Sequence, residues 1–232
     1  MLGMYLRTRL PEKHLGDDSR HVIEVGLGIV GTMAGLVLGL LVASATTYYT
    51  AQRQELQDVS SRVILLDRVL AHYGPEAEPA RRALRAGVQA TINRIWPTNG
   101  SAAQMNPLAV NPDTFFDEVA GLTPKNDQQR TLKGNAVSLA LSLAQVRWLM
   151  YEQTGSSVSV PELILMIAWF TITFTGFGLF APSNGVVRTA LALGALAISG
   201  AIFVTLEMYT PFSGIIQISS EPLQQALVNL GR

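Results

Sequence analysis

Residues 22–44, VIEVGLGIVGTMAGLVLGLLVAS, decide what kind of protein this is. Glu24 is the only formal charge among these 23 positions. At ~1.5 Å per helical residue the stretch reaches about 35 Å, enough for a hydrocarbon core of about 30 Å. The run is too long for a signal peptide, and the periodic sequence after it reads as a continuation of the same helix. A helix satisfies its own backbone groups where no water is available, so this segment is expected to cross a bilayer.

Two further apolar runs follow much later. Leu163 to Ala181 comes after Ser159 and Pro161, which suit an N-cap and a first helical turn, and ends at the turn-like Pro182-Ser183-Asn184-Gly185. Thr189 to Leu206 follows Arg188 and is ended by Glu207 and Pro211. Together they predict a transmembrane hairpin over 158–209, with 210–232 as a C-terminal tail. The composition agrees. Charged residues make up 15% of the 232, against roughly a quarter in soluble domains, and mean hydropathy is +0.27. With 17 basic and 17 acidic side chains and no cysteine, a disulfide scaffold, a thiolate metal site and nucleic-acid binding driven by bulk positive charge are excluded.

Between the first span (22–45, preceded by a flank over 1–21) and the hairpin lie residues 46–157, which carry 21 of the 34 charged residues. This is the expected water-facing domain. Leu56, Val59, Val63, Leu66, Leu70 and Tyr73 alternate steps of three and four, an apolar seam along one helical face. No glycine or proline lies between Gly39 and Gly74, so the first membrane helix is expected to run straight into this seam. A second helix from near Pro79 shows Leu84, Val88, Ile92 and Ile95 before Pro97 stops it. Residues 98–110 read as a loop, and a short helix follows Asn111-Pro112. A last one opens at Thr123-Pro124 with Leu132, Leu139, Leu143, Val146 and Met150 on one face. One-sided helices need partners, which predicts a small antiparallel bundle. The fold class is all-α: a polytopic membrane bundle with an inserted helical domain.

Candidate functional residues fall into three groups. Gly31, Gly35, Gly39 and Ala43 recur every fourth position and leave a smooth strip on which another helix can pack closely, because apolar side chains gain little by leaving lipid. The partner is either the chain's own third run, where Ala190, Gly194, Ala197, Gly200 and Ala201 are also small, or a second subunit; a glycine-lined pore is a further reading. Thr171 and Thr175 share a face at membrane depth, where they line a pathway or bond back to their own helix. Glu24, Glu162, Arg188 and Glu207 lie at run ends as interface anchors, with Glu24 and Glu207 placed to bias ions entering a pathway. Arg81, Arg82 and Arg85 form a basic edge, either a solvated face or a contact for an anion or acidic lipid head. Asp67 and Arg68 are read as solvated charges flanking the seam, with inter-helix pairing as the other option. His14, His21 and His72 have no paired ligand spacing, and no nucleophile elbow, phosphate loop or dinucleotide fingerprint is present outside the membrane span. No metal, cofactor or enzymatic activity is expected.

Three stretches then carry a family resemblance: RTRLPEKHLGDDSRHVIEVGLGIVGTMAGLVLGLLVASA (7–45), LLDRVLAHYGPEAEPARRALR (65–85) and LEMYTPFSGIIQISSEPLQQAL (206–227). In order and spacing they resemble the bestrophin-like domain family of bacterial membrane proteins. The resemblance implies an inner-membrane location and distant kinship with bestrophin anion channels, which are homo-oligomers with a central pore. It places Gly31, Gly35 and Gly39 on a packed helix and Glu207, Pro211, Phe212 and Gly214 in a characteristic segment after the last span. Members usually open with another apolar helix, of which Met1 to Leu6 would be the remnant.

Arg7, Arg9, Lys13 and Arg20 in the N-terminal flank, with Arg188 in the hairpin turn, predict by the charge rule that this side is cytoplasmic and the long domain outside. Channel kinship implies the reverse. The functional expectation is a homo-oligomeric, lipid-embedded protein with an ion-conducting pathway, anions being the species that the resemblance implies. The alternative is a non-conducting scaffold or sensor whose helical domain binds a partner.

Overall fold

The computed structural model describes residues 17–97, 112–153, 160–182 and 184–231. Among these the chain is all-α, with seven α-helices and one 3-10 turn. They are α1 (Asp17–Tyr73), the turn Pro75–Ala77, α2 (Glu78–Ile95), α3 (Pro112–Ala120), α4 (Asp127–Gln153), α5 (Val160–Phe180), α6 (Gly185–Met208) and α7 (Glu221–Asn229). Helices α1, α5 and α6 are long and apolar enough to cross a membrane.

Helix α1 is 57 residues long, as the absence of breakers between Gly39 and Gly74 predicts. One stripe runs through it: Leu27, Ala34, Ala45, Gln52, Leu56, Val63 and Leu70 are all buried. Their spacings of 7, 11, 7, 4, 7 and 7 keep them on a single face of a 3.6-residue helix. The helix ends where Gly74 takes a φ of 125°, a conformation that a side chain would strain.

The chain divides into two compact units, Met1–Thr47 with Ser157–Tyr209, and Tyr48–Ser156 with Thr210–Arg232. In the first, α5 and α6 form the expected hairpin. The Asn184 side chain accepts a hydrogen bond from the Val187 N–H at 2.8 Å, capping α6 four residues before the apolar run begins. The proposed Ser159 cap lies outside the described residues, as does the loop over 98–110.

The second unit is built around the predicted seams. Leu56, Val63, Leu66, Leu70 and Tyr73 of α1 join Leu84, Val88, Ile92 and Ile95 of α2 in one core, with Val119 and Leu122 from α3 and its following turn. Helix α4 differs from expectation. Of its predicted seam only Met150 is buried, while Ala136 and Ala140 take the innermost positions. Small side chains there bring the helix close, and Leu132, Leu139, Leu143 and Val146 pack around them half-buried. Helix α4 also starts at Asp127 rather than at Pro124, because the Asn126 side chain caps it through the Gln129 N–H at 2.8 Å. The Lys133 ammonium ties α4 to the end of α3, donating to the carbonyls of Ala120 (2.7 Å) and Leu122 (2.8 Å).

Segment 210–232 packs into this same core through Phe212, Ile218, Leu223, Ala226 and Leu230. A backbone bond from Ile218 N–H to Pro211 C=O (2.7 Å) closes its first turn.

Candidate functional site

In the membrane unit the small-residue strip does not lie where α1 meets its own neighbours. A β-carbon at Gly31 would sit 3.4 Å from Thr173 Cγ2 on α5, in ordinary contact, whereas nothing lies within 4 Å of the equivalent point on Gly35 or Gly39. Ala43 is exposed. Steps of four advance about 40° each around a 3.6-residue helix. The strip therefore spirals away from the buried stripe, so Gly31 touches the stripe's edge and Gly35 and Gly39 turn onto an open flank. The idea that the strip packs along the chain's own third run is corrected accordingly. Helix α6 meets α1 instead near one end, where Tyr209 Oη donates to Ser44 Oγ (3.1 Å) and Thr46 Oγ1 approaches Met208 Sδ (3.7 Å).

One tight helix contact in this unit was not apparent in the spacing. A β-carbon at Gly176 on α5 would overlap the side chain of Leu27. Gly194 on α6 packs on the Phe174 ring, 3.5 Å from where its β-carbon would be. Buried Thr173 and Thr205 donate to the carbonyls of Trp169 (2.9 Å) and Ala201 (2.7 Å), so neither leaves an unsatisfied hydroxyl. Thr171 does the same toward Ile167 (2.7 Å) on an exposed face, and Thr175 is half-buried. Glu24 accepts from Arg20 Nε at 2.7 Å, one helical turn away on an exposed surface, and Glu207 is half-buried on the last turn of α6.

In the second unit the basic edge resolves into three different roles. Arg81 faces Asp67 through Nε–Oδ1 (2.8 Å) and Nη2–Oδ2 (3.0 Å), a two-bond pairing between α2 and α1. Arg85 Nη1 donates to the Leu230 carbonyl at 3.0 Å. Arg82 is exposed and has no ion pair or hydrogen bond among the described residues. The grouping of all three as an anion or lipid contact is thus corrected for Arg81 and Arg85, whose donors hold the protein's own chain. Asp67 is likewise not a solvated flank. Its side chain is 4% exposed, and Oδ2 also accepts from the Gly231 N–H at 3.1 Å. Burial pushes its carboxyl up, but the Arg81 bonds, the Gly231 N–H and the charges of Arg81 and Arg68 outweigh this and hold it below the usual aspartate value.

Trp96 adds a second clasp on the tail. Its Nε1–H donates to the Ile218 carbonyl (2.8 Å), and its ring meets Phe212 edge-on with centroids 5.8 Å apart. Pro211 and Phe212, marked by the resemblance, are buried here, whereas Gly214 is exposed. The segment after the last span is thus part of the second unit's core.

A family model described as Bestrophin-like domain matches residues 1–223. The chain belongs to the Bestrophin-like family. For this Bestrophin-like protein no match is found among curated proteins, and none among solved structures. Family membership and the three long apolar helices together make it a Bestrophin-like membrane protein. Leu27, Gly176 and Trp96 are contact residues that the sequence did not single out, because linear spacing does not tell which side chains meet across helices.

Proposed function

We propose that this Bestrophin-like protein is a homo-oligomer whose membrane helices enclose an ion-conducting pathway, selective for anions. The observation that carries the reading is the open flank at Gly35 and Gly39, beside Gly31 which already has a neighbour. A bare backbone strip on a lipid-facing helix gains most from a second helix, since close approach is what small residues permit. A second subunit's helix is the occupant proposed here. The anion class is inherited from family kinship alone. Thr171 and Thr175, Glu24 and Glu207 are the proposed lining and mouth groups, and lipid surrounds the assembly. The proposed setting is the bacterial inner membrane, with the N-terminal flank cytoplasmic by the charge rule. The role is transport rather than catalysis. Chloride or nitrate flux into liposomes holding confirmed oligomers tests it, and flux no greater than in empty vesicles refutes conduction.

One observation favours the second reading, a non-conducting scaffold whose soluble unit binds a partner. Leu141, Trp148, Leu149 and Tyr151 of α4 are 54%, 47%, 43% and 43% exposed. Crosslinking in native membranes that repeatedly recovers one foreign protein through α4, without flux in liposomes, would select it.

A further inference from the structure

Six residues separate the end of α4 at Gln153 from the start of the α5 span at Val160, so the two lie no further apart than about 25 Å. Within the last six residues of α4, Trp148, Leu149 and Tyr151 are all exposed. The two rings meet edge-on, with centroids 6.0 Å apart. Past α6 the pattern recurs. The bond from Ile218 N–H to Pro211 C=O closes a turn in which Gly214 takes a φ of 85°, and Ile215 stands 80% exposed seven residues beyond Met208. Other exposed large apolar residues of the second unit, Leu65, Leu141 and Val228, are isolated in sequence and ordinary for a protein surface.

Connectivity brings the ends of α4 and α6 to one face of the bilayer. With α1, α5 and α6 as the spans, the chain passes between its two units at 47/48, 156/157 and 209/210, all on the same side. Four of the six tyrosines, Tyr48, Tyr49, Tyr151 and Tyr209, lie within six residues of these passages, and Trp148 lies within nine. The far ends of the spans, residues 17–30 and 176–193, hold no tyrosine or tryptophan. Rings that join an apolar body to one polar group are favoured where hydrocarbon meets headgroups. Charge does not account for the placement, since Arg147 and Glu152 offset each other across this end of α4.

We propose that the end of α4, through Trp148, Leu149 and Tyr151, inserts into the headgroup layer of the membrane together with Ile215. Lipid covers these side chains to a depth of about 5–10 Å, as it covers the apolar face of an interfacial helix. Continuity with a span selects lipid as the occupant over a second subunit or a foreign protein. The contact is apolar and needs no anionic lipid. It requires the three spans and holds or fails independently of conduction.

The test uses the full chain in phosphatidylcholine nanodiscs. Each of Trp96, Trp148 and Trp169 is kept in turn while the other two are replaced by Phe, and emission is followed with acyl-chain-brominated phosphatidylcholine and with acrylamide. Trp169 on α5 reports the span, and Trp96 reports the core of the second unit. Brominated lipid should quench Trp148 about half as strongly as Trp169 or more and leave Trp96 unaffected, while acrylamide should quench Trp148 about threefold less than in the unfolded chain. Adding phosphatidylglycerol should change neither result, and quenching by brominated lipid that requires it overturns the apolar contact. Strong acrylamide quenching without quenching by brominated lipid places the ring in water, as on a surface kept for a foreign protein, and overturns the inference. Protection from both quenchers means that a second copy covers the ring, which overturns it equally. If the Trp96→Phe/Trp169→Phe chain does not fold, the absence of cysteine allows Tyr151→Cys to carry an environment-sensitive fluorophore in otherwise native protein. Blue-shifted emission quenched by brominated lipid is expected there and at Ile215→Cys, and emission as in water overturns the contact.

Discussion

Asp67 on α1 and Arg81 on α2 face each other across two hydrogen bonds of 2.8 and 3.0 Å, and Oδ2 of the same carboxylate also accepts the Gly231 N–H at 3.1 Å. One buried acid therefore joins three parts of the chain that are far apart in sequence. The segment leaving the last span is also held by Trp96 at Ile218, so it is clasped twice within the second unit.

Replacing Asp67 by Asn should destabilise the second unit by about 3–5 kcal/mol at pH 7, because the Arg81 guanidinium is left buried without its counter-charge. The pH dependence has a fixed sign. The folded carboxyl titrates below the ordinary value of 3.8, so its contribution is complete above that value and is lost as pH falls through the lower folded value. Unfolding midpoints of wild type and D67N should be well separated at neutral pH and converge in strong acid. A gap that stays constant to the acid limit would contradict the pairing.

Trp96→Phe keeps the aromatic contact with Phe212 but removes the donor to Ile218. A loss of about 1 kcal/mol is expected, together with faster amide exchange confined to the tail around Ile218. Uniformly faster exchange across the second unit would point to general core damage instead.

Gly176→Ala introduces a methyl where Leu27 already lies, which should cost about 1–3 kcal/mol in detergent unfolding. Adding Leu27→Ala should return part of that loss, giving a coupling between the two sites. Additive losses would mean that the two residues do not touch.

Gly35→Leu acts on a position with nothing nearby in the same chain. Monomer stability should stay close to wild type, whereas the proposed oligomer, measured by crosslinking or light scattering, should weaken. An oligomer unaffected by the new side chain would remove the glycine flank from the proposed interface.

Much of the architecture was legible beforehand. Apolar length identified the three spans, and the absence of breakers between Gly39 and Gly74 foretold the 57-residue helix. The seams on α1 and α2 were also readable, since helical period assigns a face without knowledge of its partner. The candidate sites were less legible. Arg81, Arg82 and Arg85 lie within five positions, yet one binds an aspartate, one binds a carbonyl of the tail and one faces outward. Their partners come from residues 67 and 230, and nothing in local spacing points there.

What residue order determined by itself was therefore everything that depends on one helix at a time: which segments are apolar enough to enter lipid, where helices stop, and which face of each is greasy. Tertiary structure alone decided which of several chemically equivalent side chains meet. Gly31 and Gly35 have the same chemistry and neighbouring turns, but about 40° per step carries one to the edge of a packed face and the other onto open surface. Close contact falls off over a few ångströms, so a small rotation that leaves hydrophobic pattern unchanged is enough to separate a filled position from an open one.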